Sequence, residues 1–264
     1  SISVSDNLIA DSDAGQKFTV TVQFDENMDN TVTPDVEFIP NVVGETLTFN
    51  IGWWSSDNRC YYENYTISDA NVENFDVDIK VENAKDLAGN PQVSFQDNNK
   101  FDIDTKNPTV VSVTPNLNLI TDANVGTDNF TLTIVYSEDM NTSVHPTITF
   151  TPAVGTTLAN VDNSWTDGVT FVATYDVADG GVNIVDVDVS STGAKDENGN
   201  LQVDNTTNDV FSIDTENPTV VSVTPSDTLI TDTDVGTPFT ITVVYNENMK
   251  ETVSPDLEFT PDVS

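Results

Sequence analysis

The chain has 264 residues, 44 of them acidic and 8 basic, which gives a formal charge of −36. That charge repels nucleic acid and anionic lipid headgroups, so neither is expected as a partner. One cysteine, Cys60, excludes an intrachain disulfide framework, and no run of apolar residues is long enough to read as a membrane span, nor does a basic, apolar leader open the sequence.

Internal repetition organises what remains. The stretch Phe101-Asp102-Ile103-Asp104-Thr105-Lys106-Asn107-Pro108-Thr109-Val110-Val111-Ser112-Val113-Thr114-Pro115 returns from Phe211 to Pro225, a period of 110 residues. The chain therefore divides into a first unit, 1–104, a second, 105–214, and the front part of a third, 215–264. A unit of this size can bury its own core.

In chain order, Ser1-Ile2-Ser3-Val4 aligns with Ser112-Val113-Thr114-Pro115, so the first unit starts inside its first strand. Phe18, Val20, Val22 and Phe24 then alternate with polar residues, as do Phe130 to Tyr136 and Phe239 to Tyr245, the period of two of a half-buried strand. Each runs into a shared turn, Glu26-Asn27-Met28, Glu138-Asp139-Met140 or Glu247-Asn248-Met249. Short strands follow, stopped by Pro40, Pro152 and Pro261. Next, Trp54 and Trp165 precede alternating runs with Tyr61, Tyr65 and Ile67 in one unit and Phe171, Tyr175 and Val177 in the other. Phe75, Val77, Ile79 and Val81 read as a further strand with Asp76 and Asp78 on its wet face. Turns at Asp86 to Asn90 and Asp196 to Asn200 lead into a last strand and the joint. About seven short strands per unit and almost no helix are expected, the pattern of a two-sheet antiparallel sandwich. The third unit stops at Ser264 with three strands, too few to close a core, so the sequence reads as a window on a longer array or as a unit completed by another chain.

The Asp-Thr-x-Asn-Pro-Thr-Val-Val-Ser-Val-Thr-Pro joint, the aromatic-x-Glu-x-Met turn and the Ala-Lys-Asp-x-x-Gly-Asn turn resemble those of bacterial Ig-like domains. The resemblance implies all-β, tandem Ig-like sandwiches joined end to end by short linkers, in a large extracellular or cell-surface adhesin. In such a sandwich the turns after the second and sixth strands lie at the end where the chain arrives. Glu138, Asp139, Asp196, Asn198 and Asn200 are then expected around the joint of Asp104 and Asn107. Oxygen ligands without His or Cys suit calcium. The expected cofactor is Ca2+, held at the first joint by Asp104, Glu138 and Asp196 with Asn107 and Asp139 in support, and at the second by Asp214, Asn217 and Glu247. Asp11 and Asp13, Asp122, and Asp232 and Asp234 occupy the opposite, exit-end turns and are expected to contribute from there. Turn capping alone explains each acid singly, but not their convergence.

No catalytic arrangement is expected: His145 stands alone before Pro146, and no Ser-His-Asp set or phosphate-cradling glycine loop is present. Three non-enzymatic functions fit the sequence. The first is a structural extender stiffened by calcium, whose partners are neighbouring repeats. The second is a filament subunit that joins other copies of the same chain. The third is a binding module for a glycan or cell-surface protein, with Trp53, Trp54, Tyr61 and Tyr62 as an aromatic platform.

Overall fold

The computed structural model describes residues 1–263, apart from the side chains of residues 160 and 161. It is all-β, with helix confined to three single 3-10 turns among the described residues, and its sheets are mostly antiparallel.

The first unit has two four-stranded sheets. One contains β1 (Ile2–Val4), β3 (Lys17–Gln23), β6 (Cys60–Ile67) and β5 (Leu47–Trp54), in the order β1-β3-β6-β5. The other contains β2 (Leu8–Ala10), β8 (Phe95–Asp104), β7 (Glu73–Glu82) and β4 (Asp35–Ile39), in the order β2-β8-β7-β4. Both contribute to one buried cluster, with Phe18, Val20, Tyr61 and Tyr65 from the first sheet and Phe38, Val77, Ile79, Phe101 and Ile103 from the second.

The second unit repeats this arrangement. Strands β9 (Val110–Pro115), β11 (Gly126–Tyr136), β14 (Thr170–Val177) and β13 (Leu158–Trp165) form one sheet. Strands β10 (Leu119–Thr121), β16 (Asn205–Asp214), β15 (Asn183–Thr192) and β12 (Thr147–Thr151) form the other. Their cluster centres on Phe130, Leu132, Ile134, Phe171 and Phe211. In the third unit β17 (Val220–Pro225) pairs with β18 (Ile241–Tyr245). Phe239, Met249 and Phe259 there are 41%, 42% and 46% exposed, whereas their counterparts Phe130 and Met140 are buried.

Each of the first two units has eight strands where about seven were expected. The first strand of each splits: β1 pairs antiparallel with β3, and the chain then crosses so that β2 pairs parallel with β8. The second unit does the same with β9 and β10. The alternation read over Phe75 to Val81 also needs a correction. Asp76 has φ +57° and Asp186 φ +55°, left-handed positions that an Asp tolerates better than most residues. The register shifts at both places. Phe75 and Val185 are consequently turned outward, 53% and 63% exposed, while Val77 and Val187 remain fully buried.

Candidate functional site

The joint between the first two units starts from a clip that recurs within the chain. Thr105 is fully buried, and its hydroxyl bridges the backbone of the loop before β7, accepting from Val72 N at 3.1 Å and donating to Val72 O at 3.3 Å. Thr215 makes the same clip to Val182. The Thr of the Asp-Thr-x-Asn-Pro motif therefore fixes the direction in which the chain leaves a unit.

Beyond Thr105 the chain is held by the second unit. The side-chain amide of Asn200, fully buried, donates to the carbonyl of Asp104 at 2.9 Å and to Asp196 Oδ2 at 2.8 Å. Its oxygen accepts from the backbone N–H of Asp11 at 2.9 Å. Asn198 Nδ2 donates to Asp104 Oδ2 at 2.7 Å. Asn107 Nδ2 donates to Asp11 Oδ2 at 3.2 Å and to the carbonyl of Leu201 at 2.7 Å. One loop of the second unit, 196–201, thus grips two separate segments of the first.

Three carboxylates converge there. Oxygens of Asp104, Glu138 and Asp196 lie within 4.8 Å of one another; Asp104 and Asp196 are buried and Glu138 half-buried. They open onto a cleft of about 400 Å³ also walled by Glu73, Phe75 and Asp139. Burial pushes the Glu138 carboxyl above its usual range; Lys106 opposes this, and Asp104, Asp196 and Glu73 add to it. Asp11 is raised as well, first by burial and then by Asp69, with Asn107 acting the other way. One oxygen of Asp11, Oδ1, is buried without a hydrogen-bond partner among the described residues. Lys106 lowers the Glu138 carboxyl from across this group and also pairs with Glu73 at 3.6 Å.

The predicted ligands differ in how they sit. Asp196 caps its own turn: Oδ1 accepts from the N–H groups of Asn198 and Asn200, both at 2.9 Å. Asp86 does likewise for Ala88 and Asn90 in the first unit, at 2.9 and 2.8 Å. Asp139 is exposed at the rim and lies outside the triad, and the amide of Asn107 serves as a clip. At the second joint Asp214 Oδ1 and Glu247 Oε1 are each buried without a partner among the described residues. Burial and the nearby Asp214 and Glu216 carboxylates raise the Glu247 carboxyl, while Asn217 stays exposed. Sequence reasoning missed Glu73 and Asp69, which reach the first joint from the side of β7; their counterparts in the second unit are Asn183 and Asp179, so the repeat pattern did not flag Glu73.

The aromatic stretch divides between two faces. Trp53 is 39% exposed and stacks on Tyr62, with centroids 5.2 Å apart and planes 20° from parallel. Tyr61 is buried, and Trp54 packs inward against Tyr61 and Phe24. His145 leans edge-on against Phe171 at 5.3 Å, and Cys60 is a free, half-buried thiol.

No family model matches the chain, and no curated protein matches it in sequence. No helix among the described residues is long and apolar enough to cross a membrane.

Proposed function

We propose that this chain is a structural extender made of tandem Ig-like sandwiches, in which Ca2+ stiffens the joints between units of an extracellular adhesin or surface fibre. The observation that carries the reading is the convergence of Asp104, Glu138 and Asp196 at the place where the two units meet. Asp104 belongs to the first unit, and Glu138 and Asp196 to the second. Calcium takes six to eight oxygen ligands, and this set offers carboxylate oxygens alone, with Asp139 and the Asn198 amide at hand. Such an ion would neutralise carboxylates that otherwise repel one another across the joint, and would couple two units through one set of bonds. Each added unit would then extend a rod rather than a flexible string.

Calcium titration by calorimetry, with small-angle X-ray scattering on the same samples, tests this. Saturable binding with a longer, stiffer particle supports the reading. An absence of binding, with unchanged dimensions, refutes it and leaves the acids as turn caps. A second reading, recognition of a neutral sugar or a protein through an aromatic platform, is favoured by the exposed Trp53–Tyr62 stack and predicts quenching of Trp53 fluorescence by that ligand.

A further inference from the structure

The loop that grips the joint carries the one Asn-Gly pair in the sequence, Asn198-Gly199. The matching turn of the first unit reads Ala88-Gly89 at that place, so the turn itself does not require the asparagine. Asn-Gly is the dipeptide in which a backbone nitrogen reaches the preceding side chain with least obstruction, because glycine has no Cβ to block the approach. Gly199 is exposed at φ +92°, and no atom lies within 4 Å of the position its Cβ would take. The turn holds its N–H loosely: it donates to Asp196 O at 3.3 Å, against 3.0 Å for Gly89 to Asp86 O. Asn198 is half-buried and lines the open cleft of about 400 Å³ at the joint, so water reaches its side chain.

What the side chain touches sets the consequence of a reaction there. Asn198 Nδ2 donates to Asp104 Oδ2 at 2.7 Å, a bond that runs from the second unit to the first. Asp104 in turn belongs to the triad with Glu138 and Asp196. The amide is therefore a neutral donor set against a group of converging carboxylates.

We infer that Asn198 is a site of self-modification, at which deamidation turns the amide clip of the joint into a fourth carboxylate. Gly199 N gives up its proton and attacks Asn198 Cγ; a C–N bond forms, the Cγ–Nδ2 bond breaks, and Nδ2 departs with a proton as ammonia. One water then opens the five-membered imide at either carbonyl, leaving aspartate or isoaspartate. The balance needs water alone. A donor 2.7 Å from Asp104 is replaced by an acceptor that carries its neighbour's charge, so a bond between the units becomes a repulsion. The chain thus holds a slow, irreversible change of charge at the place where its units meet, and the metal-free joint weakens as the change proceeds. With calcium bound, the new carboxylate adds a ligand; that last consequence alone rests on the calcium reading.

The test incubates the whole chain in mildly alkaline buffer with EDTA, then maps timed samples by digestion and mass spectrometry, with isoaspartate labelled enzymatically. Asn198 is expected to react before every other asparagine of the folded chain. Earlier reaction elsewhere overturns the inference, and so does an Asn198 that reacts in urea but stays intact in the folded chain, since the turn then protects it. Asn198→Asp, which carries the product from the start, is expected to melt about 4 °C below the native chain in EDTA, as followed by Trp165 fluorescence. Asn198→Ala, which removes the clip without adding charge, is expected to melt between the two; coincident melting of the two variants overturns the repulsion. By calorimetry Asn198→Asp is expected to bind calcium about tenfold more tightly than the native chain. Equal affinities overturn the added ligand, and an absence of binding by either chain overturns the calcium reading while the map of Asn198 stands.

Discussion

Replacing Asn200 by Ala isolates what holds the two units together. The side chain is fully buried and makes three bonds: to the Asp104 carbonyl at 2.9 Å, to Asp196 Oδ2 at 2.8 Å, and from Asp11 N at 2.9 Å. Two of the three cross from the second unit to the first. Truncation leaves the buried Asp104 carbonyl and the half-buried Asp11 N–H unpartnered, and each such group costs about 1–3 kcal/mol, so a loss of about 3 kcal/mol is expected. For a unit near this size that corresponds to roughly 10 °C in the melting temperature. Asn90→Ala is the matched control: it occupies the same place in the same turn of the first unit, but Asn90 is exposed and its side chain bonds only Asp86, at 2.6 Å. That change should cost no more than about 1 kcal/mol. Calorimetric scans of both variants, with Trp165 fluorescence following the second unit, decide the matter. Equal shifts for Asn200→Ala and Asn90→Ala would show that the Gly-Asn turn is a local device and that the joint bonds carry no coupling.

The buried carboxyl of Glu63 gives the first unit a pH signature. Burial raises it, while hydrogen bonds from Tyr65 and Tyr61 act the other way and the Asp35 carboxylate adds to the rise; Tyr61 itself is pushed up to about 12, chiefly by burial. Because the folded form holds the proton more tightly, the contribution is fully present below the ordinary glutamate range and is lost as pH rises through the raised folded value. The first unit's denaturation midpoint should therefore fall with rising pH more steeply in the native chain than in Glu63→Gln, and parallel slopes would contradict the assignment. Glu138 and Asp11 carry the same sign, since both are raised, so the joint of the metal-free chain should weaken as pH rises past their folded values. Added calcium should flatten that slope in the native chain and much less in Glu138→Gln, as read from melting temperatures at several pH values. Gly52→Ala places a Cβ 2.1 Å from the Tyr61 hydroxyl and should cost about 2 kcal/mol by displacing that ring. Gly44→Ala meets no atom within 4 Å and strains only a φ of +87°, so its cost in urea denaturation should be nearer 1 kcal/mol.

Much of the fold is legible because period-two alternation is a backbone property. Phe18, Val20 and Val22 alternate with polar neighbours, and all three are buried in β3. Where the backbone departs from a regular strand, the pattern misleads: a left-handed Asp76 reverses the side of Phe75, and nothing in the alternation of Phe75 to Val81 announces it. The aromatic stretch shows the same limit. Adjacent residues on a strand face opposite ways, so Trp53 and Trp54 cannot share a platform, and of the four only Trp53 and Tyr62 meet on the outer face.

The joint was legible for a different reason. Its carboxylates are distant in sequence, and no local motif connects Asp104 to Glu138 or Asp196. What connects them is topology: in a two-sheet arrangement, turns separated by two crossings return to the same pole, so acids in the second and sixth turns meet the arriving chain. The pole argument places side chains to within a loop's width, which is enough to gather the triad but not to tell a ligand from a clip. Asn107 illustrates the gap, because its amide donates to Asp11 and to the Leu201 carbonyl and so orients the joint. Glu73 illustrates the converse, since it reaches the cleft from the unit that is leaving, where a repeat comparison finds Asn183. A site shared by two units draws residues from both, and a repeat aligned with itself reveals only those that both units keep. Glu73 is one such unshared residue, a carboxylate beside the first joint where the repeat offers Asn183 beside the second, so the two joints should respond differently to calcium.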